Sequence, residues 1–239
     1  LTAQDVSAFG HDTNEDIVEL LRTLDGIKGR HVFRLGMLNL GLSSERLHNL
    51  LDVIKSNHFF KFFHVPLQSG SDQVLRAMGR EYSTADWMSV VHSIKQVFPH
   101  ATLATDIIVG FPGESEHDFQ ETVDIIEEAV PEIVNISKYG DRPGTPASVS
   151  PEKVNTSIKK SRSRMLSTVA AKSALRANAS WIGWTGHVIA TEPGPRGGVV
   201  CRNWAYRPIV IHDSLRVGED TEVRIVTANR AYLTAALLA

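Results

Sequence analysis

The order of periodicities along this chain constrains its fold more than any single motif. Through roughly the first 140 residues, short β-rich runs alternate with helical patterns. Residues 14–24 place Glu15 and Asp16 in a first turn and Ile17, Leu20, Leu21 and Leu24 on one face, which predicts a helix from Asn14. Further helices are predicted from Ser43 or Ser44, with Leu47, Leu50, Leu51 and Ile54 as the stripe, and from Ser71 to Gly79. Another starts at Thr84, carrying Trp87, Val90, Val91, Ile94 and Phe98. Ser115 with Asp118 forms a capping-box pattern ahead of Phe119, Val123 and Ile126. Residues 1–9, 31–37, 61–65, 101–109 and 132–139 read as five strands. Repeated strand, helix, strand argues for parallel strands joined by right-handed crossovers. The expected class is α/β, as an open sheet or as part of a (β/α) barrel. In both, functional groups gather at the C-terminal ends of the strands.

Pro143-Gly144-Thr145-Pro146 breaks this alternation, and Ser150-Pro151-Glu152 is expected to open a long helix running to about Ser180. After Gly183 the character turns to β. Residues 184–191, 199–204, 209–212, 221–227 and 232–237 are five short strands separated by glycine- and proline-rich turns such as Pro193-Gly194-Pro195. They predict a small all-β barrel. The expected domains are 1–148, a connecting helix at 149–180, and 181–239.

The formal charge of −2 conceals an asymmetry. Residues 1–150 carry 12 basic against 21 acidic side chains, a balance of −9, and residues 151–239 carry 13 against 6, a balance of +7. Lys153, Lys159, Lys160, Arg162, Arg164, Lys172 and Arg176 follow one another with no acid between them. The plain interpretation is a solvated helix face. The functional one is an acidic catalytic half joined to a basic half that meets a polyanion.

One cysteine, Cys201, excludes an internal disulfide, a multi-cysteine zinc site and an iron–sulfur cluster held by three cysteines of this chain. No apolar run approaches the roughly 20 residues of a membrane span, and no basic-then-apolar signal segment opens the chain. The first residue is Leu1, so the true N-terminus is expected to lie upstream. The strand ends carry Gln4 and Asp5, Arg34, His64 and Gln68, Asp106, and residues 137–139, polar groups that an apolar strand does not need. His64 also suits a satisfied core histidine. Asp106 also suits a partner for Arg34 or a neighbouring strand. Gly110 and Gly113 also suit a turn alone.

Three segments sharpen this picture. They are His64-Val65-Pro66-Leu67-Gln68-Ser69-Gly70-Ser71-Asp72 with the later Met78-Gly79-Arg80, Thr105-Asp106-Ile107-Ile108-Val109-Gly110-Phe111-Pro112-Gly113-Glu114, and Tyr139-Gly140-Asp141-Arg142-Pro143-Gly144-Thr145-Pro146-Ala147. In this order and spacing they resemble the radical S-adenosylmethionine methylthiotransferases that act on tRNA adenosine. The opening Leu1 to Gly10 fits that family's second barrel strand, and Arg34-Leu35-Gly36-Met37 its next. The C-terminal β region resembles the family's TRAM domain, a small RNA-binding barrel, so the resemblance covers essentially the whole chain. Arg80-Glu81-Tyr82 and Ile136-Ser137-Lys138-Tyr139 resemble the archaeal and eukaryotic branch, which modifies threonylcarbamoyladenosine beside the anticodon.

The resemblance implies a partial (β/α) barrel lacking its first unit here, followed by a TRAM barrel. It implies S-adenosylmethionine and, in the full-length enzyme, two four-iron, four-sulfur clusters. Their ligands are absent from this chain, so no metal-binding residue is expected and the chain alone should hold no cluster. The implied chemistry is hydrogen abstraction from the base by a 5′-deoxyadenosyl radical, sulfur insertion, and methyl transfer from another S-adenosylmethionine. Candidate cofactor residues are Ile108 and Gly110 for the adenine, and Gln68 and Ser69 for the ribose or methionine moiety. Tyr139 is placed against or beneath the adenine, and Asp106 and Arg34 at the amino and carboxylate groups. Candidate RNA residues are Lys159, Lys160, Arg162 and Arg164 on the helix, and Arg196, Arg202, Trp204 and Arg207 in the barrel. The implied partner is the tRNA anticodon arm, and the implied location is cytoplasmic. Alternatives are an enzyme of the same family acting on isopentenyl-adenosine tRNA or a ribosomal protein, a non-catalytic RNA-binding module, and an unrelated barrel hydrolase using His64 and Asp106.

Overall fold

The computed structural model describes residues 1–239 except Gln4, His11, Asn14, Pro195, Arg196 and Ala239. The expected helix start at Asn14 and the candidates Gln4 and Arg196 therefore lie outside the described residues.

The N-terminal half is built on three parallel strands in the order β1 (Phe62–His64), β2 (Thr102–Val109), β3 (Ile133–Lys138). Phe62 pairs with Thr102, and Asp106 pairs with Asn135. Five helices flank the strands: α1 (Ile17–Asp25), α2 (Ser44–Ile54), α3 (Asp72–Ala77), α4 (Thr84–Val97) and α5 (Glu116–Ala129). Their starts follow local chemistry. Asp16 caps α1 by accepting from Val18 N at 2.6 Å, and Ser43 caps α2 by accepting from Arg46 N at 3.2 Å. Ser83 with Asp86 and Ser115 with Asp118 form full capping boxes on α4 and α5. Apolar stripes of α1, α2, α4 and α5 share one core with Leu103, Ile107 and Val109 of β2. Trp87 is wholly buried there and donates from Nε1 to the Val65 carbonyl at 3.0 Å. Gly70 is needed for the close crossing of the β1–α3 loop over α5, because a Cβ there would stand 2.4 Å from Thr122 Cα.

Two expected strands differ. Residues 1–9 contain a 3-10 turn at Val6–Ala8. Asp5 turns the chain by accepting from Ser7 N at 2.9 Å, and residues 1–9 meet 31–37 through isolated main-chain bonds, from Leu1 N to the Arg34 carbonyl and from Val6 N to the Met37 carbonyl. Residues 31–37 contribute isolated parallel bridges, Phe33 to Phe59 and Met37 to His64. The apolar pattern of these segments comes from facing the helical core, not from ladder pairing.

The long helix α6 (Thr156–Ala179) begins later than Pro151, capped by Asn155. Residues 151–154 are held outside it. Gly113 N donates to the Glu152 carbonyl at 2.9 Å, and Lys153 Nζ bonds the carbonyls of Ala147 and Ser148. A 3-10 turn at Pro146–Val149 precedes them.

The C-terminal half is a closed barrel in the order β4-β5-β6-β8-β7. The strands are β4 (Thr185–Pro193), β5 (Val199–Arg202), β6 (Pro208–Ile211), β7 (Asp220–Ala228) and β8 (Leu233–Leu237). Val188, Cys201, Ile209, Ile211, Val223, Ile225 and Leu233 fill it. The turn 203–207 docks the barrel on the N-terminal edge of the parallel sheet. Lys61 N donates to the Trp204 carbonyl at 2.8 Å, and Thr102 Oγ1 donates to the Ala205 carbonyl at 2.6 Å. Among the described residues no helix is long and apolar enough to cross a membrane.

Candidate functional site

The two faces of the parallel sheet differ. Leu103, Thr105, Ile107 and Val109 of β2 are buried toward the helices. Asp106 and Ile108 alternate with them on the other face and are half-buried, as is His64, while Asn135 and Ser137 of β3 are exposed. This helix-free face is the place where polar groups converge.

At its centre, Asp106 Oδ1 lies 3.0 Å from His64 Nε2 and accepts from Asn135 Nδ2 at 2.8 Å. Burial pushes the Asp106 carboxyl up, but hydrogen bonds from His64 and Asn135 outweigh it and hold the group below the usual carboxylate range. An ionised Asp106 accepts from His64 Nε2, so that ring nitrogen carries a hydrogen.

At the C-terminal end of the strands, Gln68 has a left-handed backbone with φ 74. Its N–H donates to the Asp106 carbonyl at 2.7 Å, and its carbonyl accepts from Ile108 N at 2.9 Å. The bend carries the chain across β2 and leaves the Gln68 side chain half-buried on the open face. Gly110, at φ 75, turns the chain out of β2, and its N–H donates to Glu114 Oε2 at 2.7 Å. Tyr139 N closes the next strand on the Val109 carbonyl at 2.9 Å. The Tyr139 ring packs edge-on against Phe111, with centroids 5.1 Å apart.

Asp106, Ile108, Gln68, Gly110 and Tyr139 are thus brought together at one sheet end. Two other cofactor candidates are elsewhere. Ser69 is fully buried, and its Oγ accepts from Ser71 N at 3.2 Å, so it braces the loop instead of lining the open face. The Arg34 guanidinium stacks 4.8 Å from the Phe62 centroid and 5.1 Å from that of Tyr206, at the opposite, barrel-side end.

The basic helix is divided. Lys160 and Arg164 are exposed. Lys159 turns inward, donating from Nζ to the Tyr139 carbonyl at 3.1 Å and covering Gly110, where a Cβ would stand 2.4 Å from Lys159 Cγ. Arg162 is buried and paired with Glu114 at 2.6 Å and Glu116 at 3.0 Å. In the barrel, Arg207 is buried and paired with Glu132 at 2.9 Å. Arg162 and Arg207 therefore leave the candidate RNA face, because their charges are paired with carboxylates inside the protein, while Lys159 is drawn toward the sheet by the Tyr139 carbonyl. Arg202 stacks 4.5 Å from the Tyr206 centroid. Trp204 stays partly exposed beside the buried Trp181, centroids 5.6 Å apart.

Asn135, Glu114 and Glu132 are the residues sequence reasoning missed. Alternation of Asn135 with Ser137 in β3 is the one signal that pointed to the open face. A groove of ≈ 610 Å³ between α2 and α4 lies away from these strand ends.

A family model for the radical SAM superfamily matches residues 6–126. The chain belongs to the radical SAM superfamily. The fold also resembles that of coproporphyrinogen III oxidase from Escherichia coli, a radical SAM enzyme, with a TM-score of 0.52 at 15% identity over 70% of this chain and 38% of that one. At this identity the likeness concerns the fold alone. A probable threonylcarbamoyladenosine tRNA methylthiotransferase of Pyrococcus horikoshii is 35% identical over 233 residues, 98% of this chain and 54% of that protein. The threonylcarbamoyladenosine tRNA methylthiotransferase of Mus musculus is 41% identical over 170 residues, 71% of this chain and 29% of that protein. The chain spans about half the length of the archaeal relative it matches.

Radical SAM membership implies S-adenosylmethionine and a four-iron, four-sulfur cluster. The strand-end residues fit one wall of a nucleoside site. They combine an apolar Ile108, a glycine turn and a Gln68 side chain with no hydrogen-bond partner among the described residues. The cluster finds no such fit. Among the described residues, no group of three His, Cys, Asp or Glu side chains is arranged to hold a metal ion. Cys201 lies in the barrel core, where burial pushes its thiol up to about 11. Incubation of this chain with iron and sulfide is expected to leave no stoichiometric cluster absorbance. A stoichiometric cluster spectrum would show that the ligand assignment is wrong.

Proposed function

We propose that this chain is the S-adenosylmethionine- and RNA-binding portion of a tRNA methylthiotransferase acting on threonylcarbamoyladenosine beside the anticodon. The observation that carries the reading is the extent of the likeness. It runs through 98% of this chain, sheet, connecting helix and barrel together, in a relative of that name. The helix-free sheet face supports it, because its polar groups sit where parallel α/β folds place their ligands. S-adenosylmethionine, when bound, would supply the methyl group.

The roles of the chain's own residues follow from their positions. Ile108 and the Gly110 turn would border the adenine, and Gln68 would bond the ribose or methionine moiety. Asp106 would attract its ammonium group and would hold the His64 ring in one orientation. Tyr139 would support this shelf from beneath, with Lys159 bracing it. The closed barrel would serve as the TRAM-like RNA module. Lys160 and Arg164 would face phosphates.

The test is nucleoside analysis. Deleting the gene that encodes this chain should remove the methylthio group from threonylcarbamoyladenosine in total tRNA, by mass spectrometry, and leave the unmethylthiolated nucleoside in its place. Unchanged methylthio-threonylcarbamoyladenosine, or loss confined to isopentenyl-adenosine derivatives, would sink the substrate assignment.

A further inference from the structure

We propose that Arg34 and Arg202, held around the Tyr206 ring, form a phosphate-binding notch for RNA where the sheet's open face meets the C-terminal barrel. The inference rests on the RNA reading above and adds a location that the basic helix does not provide. Arg34 approaches from the parallel-sheet half and Arg202 from β5, with guanidinium carbons 5.1 Å and 4.5 Å from the same ring centroid. Phe60 and Phe62 pack edge-on against Tyr206, at 4.8 Å and 5.6 Å between centroids, so the ring is fixed from the sheet side.

The backbone is preset for this arrangement. Tyr206 is a non-glycine residue at φ 60, a conformation that costs energy and persists only where its surroundings hold it. The surroundings do hold it. Tyr206 N donates to the Asn203 carbonyl at 2.9 Å. Asn203 Oδ1 accepts from Ala205 N at 3.1 Å and Arg207 N at 3.0 Å. Arg202 Nη1 donates to the Tyr206 carbonyl at 3.3 Å.

Among the described residues, the protein leaves the Arg34 charge without a counter-charge and pairs Arg202 only at the surface. Arg34 is exposed and has no carboxylate partner among the described residues. Arg202 has Glu192 at 3.4 Å, a carboxylate that is itself more than half exposed. Stacking a guanidinium on a ring uses its π-face and leaves its in-plane N–H donors free. Two guanidinium groups on one ring, Arg34 with its donors unpaired among the described residues and Arg202 held only by a long contact to the exposed Glu192 and by the Tyr206 carbonyl, favour a phosphate over a neutral group. The notch also differs in kind from Arg162 and Arg207, which are closed off inside ion pairs. An RNA strand lying against it would be tied to both halves of the molecule at once.

The experiment measures binding of a labelled tRNA anticodon-arm hairpin to the whole chain by fluorescence anisotropy across a salt series. Arg34→Met keeps the packing stem and removes the charge, and Arg34→Lys keeps the charge. Arg34→Met and Arg202→Met are each expected to weaken binding about 3- to 10-fold at low salt and to flatten the salt slope by about one, with Arg34→Lys keeping the slope. Lys160→Gln/Arg164→Gln reports on the helix separately. If the parent chain fails to bind the hairpin, the RNA reading falls and the notch with it. If the parent binds and the helix variant is weakened while both methionine variants match the parent, the notch alone is wrong. Loss of affinity in Arg34→Met with an unchanged salt slope also overturns it, because only packing would then have been lost.

Discussion

Glu132→Ala is expected to cost about 3–5 kcal/mol and to loosen the docking of the barrel on the parallel sheet. The Glu132 side chain is almost completely enclosed and satisfies three donors. Oε1 meets Lys95 Nζ at 2.9 Å and Arg207 Nη2 at 2.9 Å, and Oε2 accepts from Leu103 N at 2.6 Å. Arg207 is enclosed too, bonded to Asn178 Oδ1 at 2.8 Å and 5.7 Å from the Trp181 centroid. Burial presses its guanidinium below the ordinary arginine value, and Glu132 opposes that shift. Removing the carboxylate leaves a buried cation without its counter-charge and the Leu103 amide without its acceptor, which is the expensive way to break such a pair. The measurement is urea unfolding followed by far-UV circular dichroism and by tryptophan fluorescence. Trp181, Trp184 and Trp204 report mainly the barrel junction, and Trp87 lies in the sheet core. The two probes should separate in Glu132→Ala, with the fluorescence change at lower urea. A loss under about 1 kcal/mol with superimposed probes would mean that the ion pair contributes little to docking.

The same cluster shows where sequence reading stops. Helix starts were legible because the cap is a local device. Ser83 with Asp86 and Ser115 with Asp118 act within three residues of one another. The barrel strands were legible because turns bound each of them and their inward residues alternate. Charge, by contrast, carries no direction in a sequence. Lys159, Lys160, Arg162 and Arg164 read as one basic run, yet the helical period turns Lys159 and Arg162 toward the sheet and leaves Lys160 and Arg164 in solvent. Arg207 looked like an RNA contact for the same reason. Its partner is Glu132, 75 positions away, and no local pattern links them.

The open sheet face was half legible. His64 and Asp106 stood out as polar residues in apolar strands, and the structure joins them at 3.0 Å. Asn135, which completes that cluster, is ordinary in a strand-edge sequence. Only the parallel register that sets Asp106 opposite Asn135 reveals it. Arg34 failed in the opposite way. Its segment forms only isolated bridges beside β1, and the side chain faces the barrel end, where Phe62 and Tyr206 offer it aromatic surfaces.

Arg162→Met should have an effect as large as Glu132→Ala, with a pH signature of its own. The Arg162 guanidinium donates to the Glu114 carbonyl at 3.0 Å and to Glu114 Oε2 at 2.6 Å, while Gly110 N donates to that same oxygen at 2.7 Å. Burial raises the Glu114 carboxyl above its ordinary value, against the lowering by the Gly110 N–H and by Arg162. Without Arg162, one opposing influence is gone and the carboxyl rises further. A group with a raised folded-state pKa costs nothing while protonated in both states. It costs progressively more as pH rises from the unfolded value toward the folded one. The Arg162→Met penalty, about 3–5 kcal/mol at neutral pH, should therefore shrink toward pH 5. Adding Glu114→Gln should recover part of it, because the uncompensated charge is then absent. Equal penalties at pH 5 and pH 8, with no recovery in the double variant, would show that Arg162 stabilises by packing on Phe119, 5.4 Å from its guanidinium, and not by pairing. The outcome bears on the site directly. Glu114 is the group that fixes the Gly110 N–H, and Gly110 sets where β2 ends beneath the proposed adenine shelf.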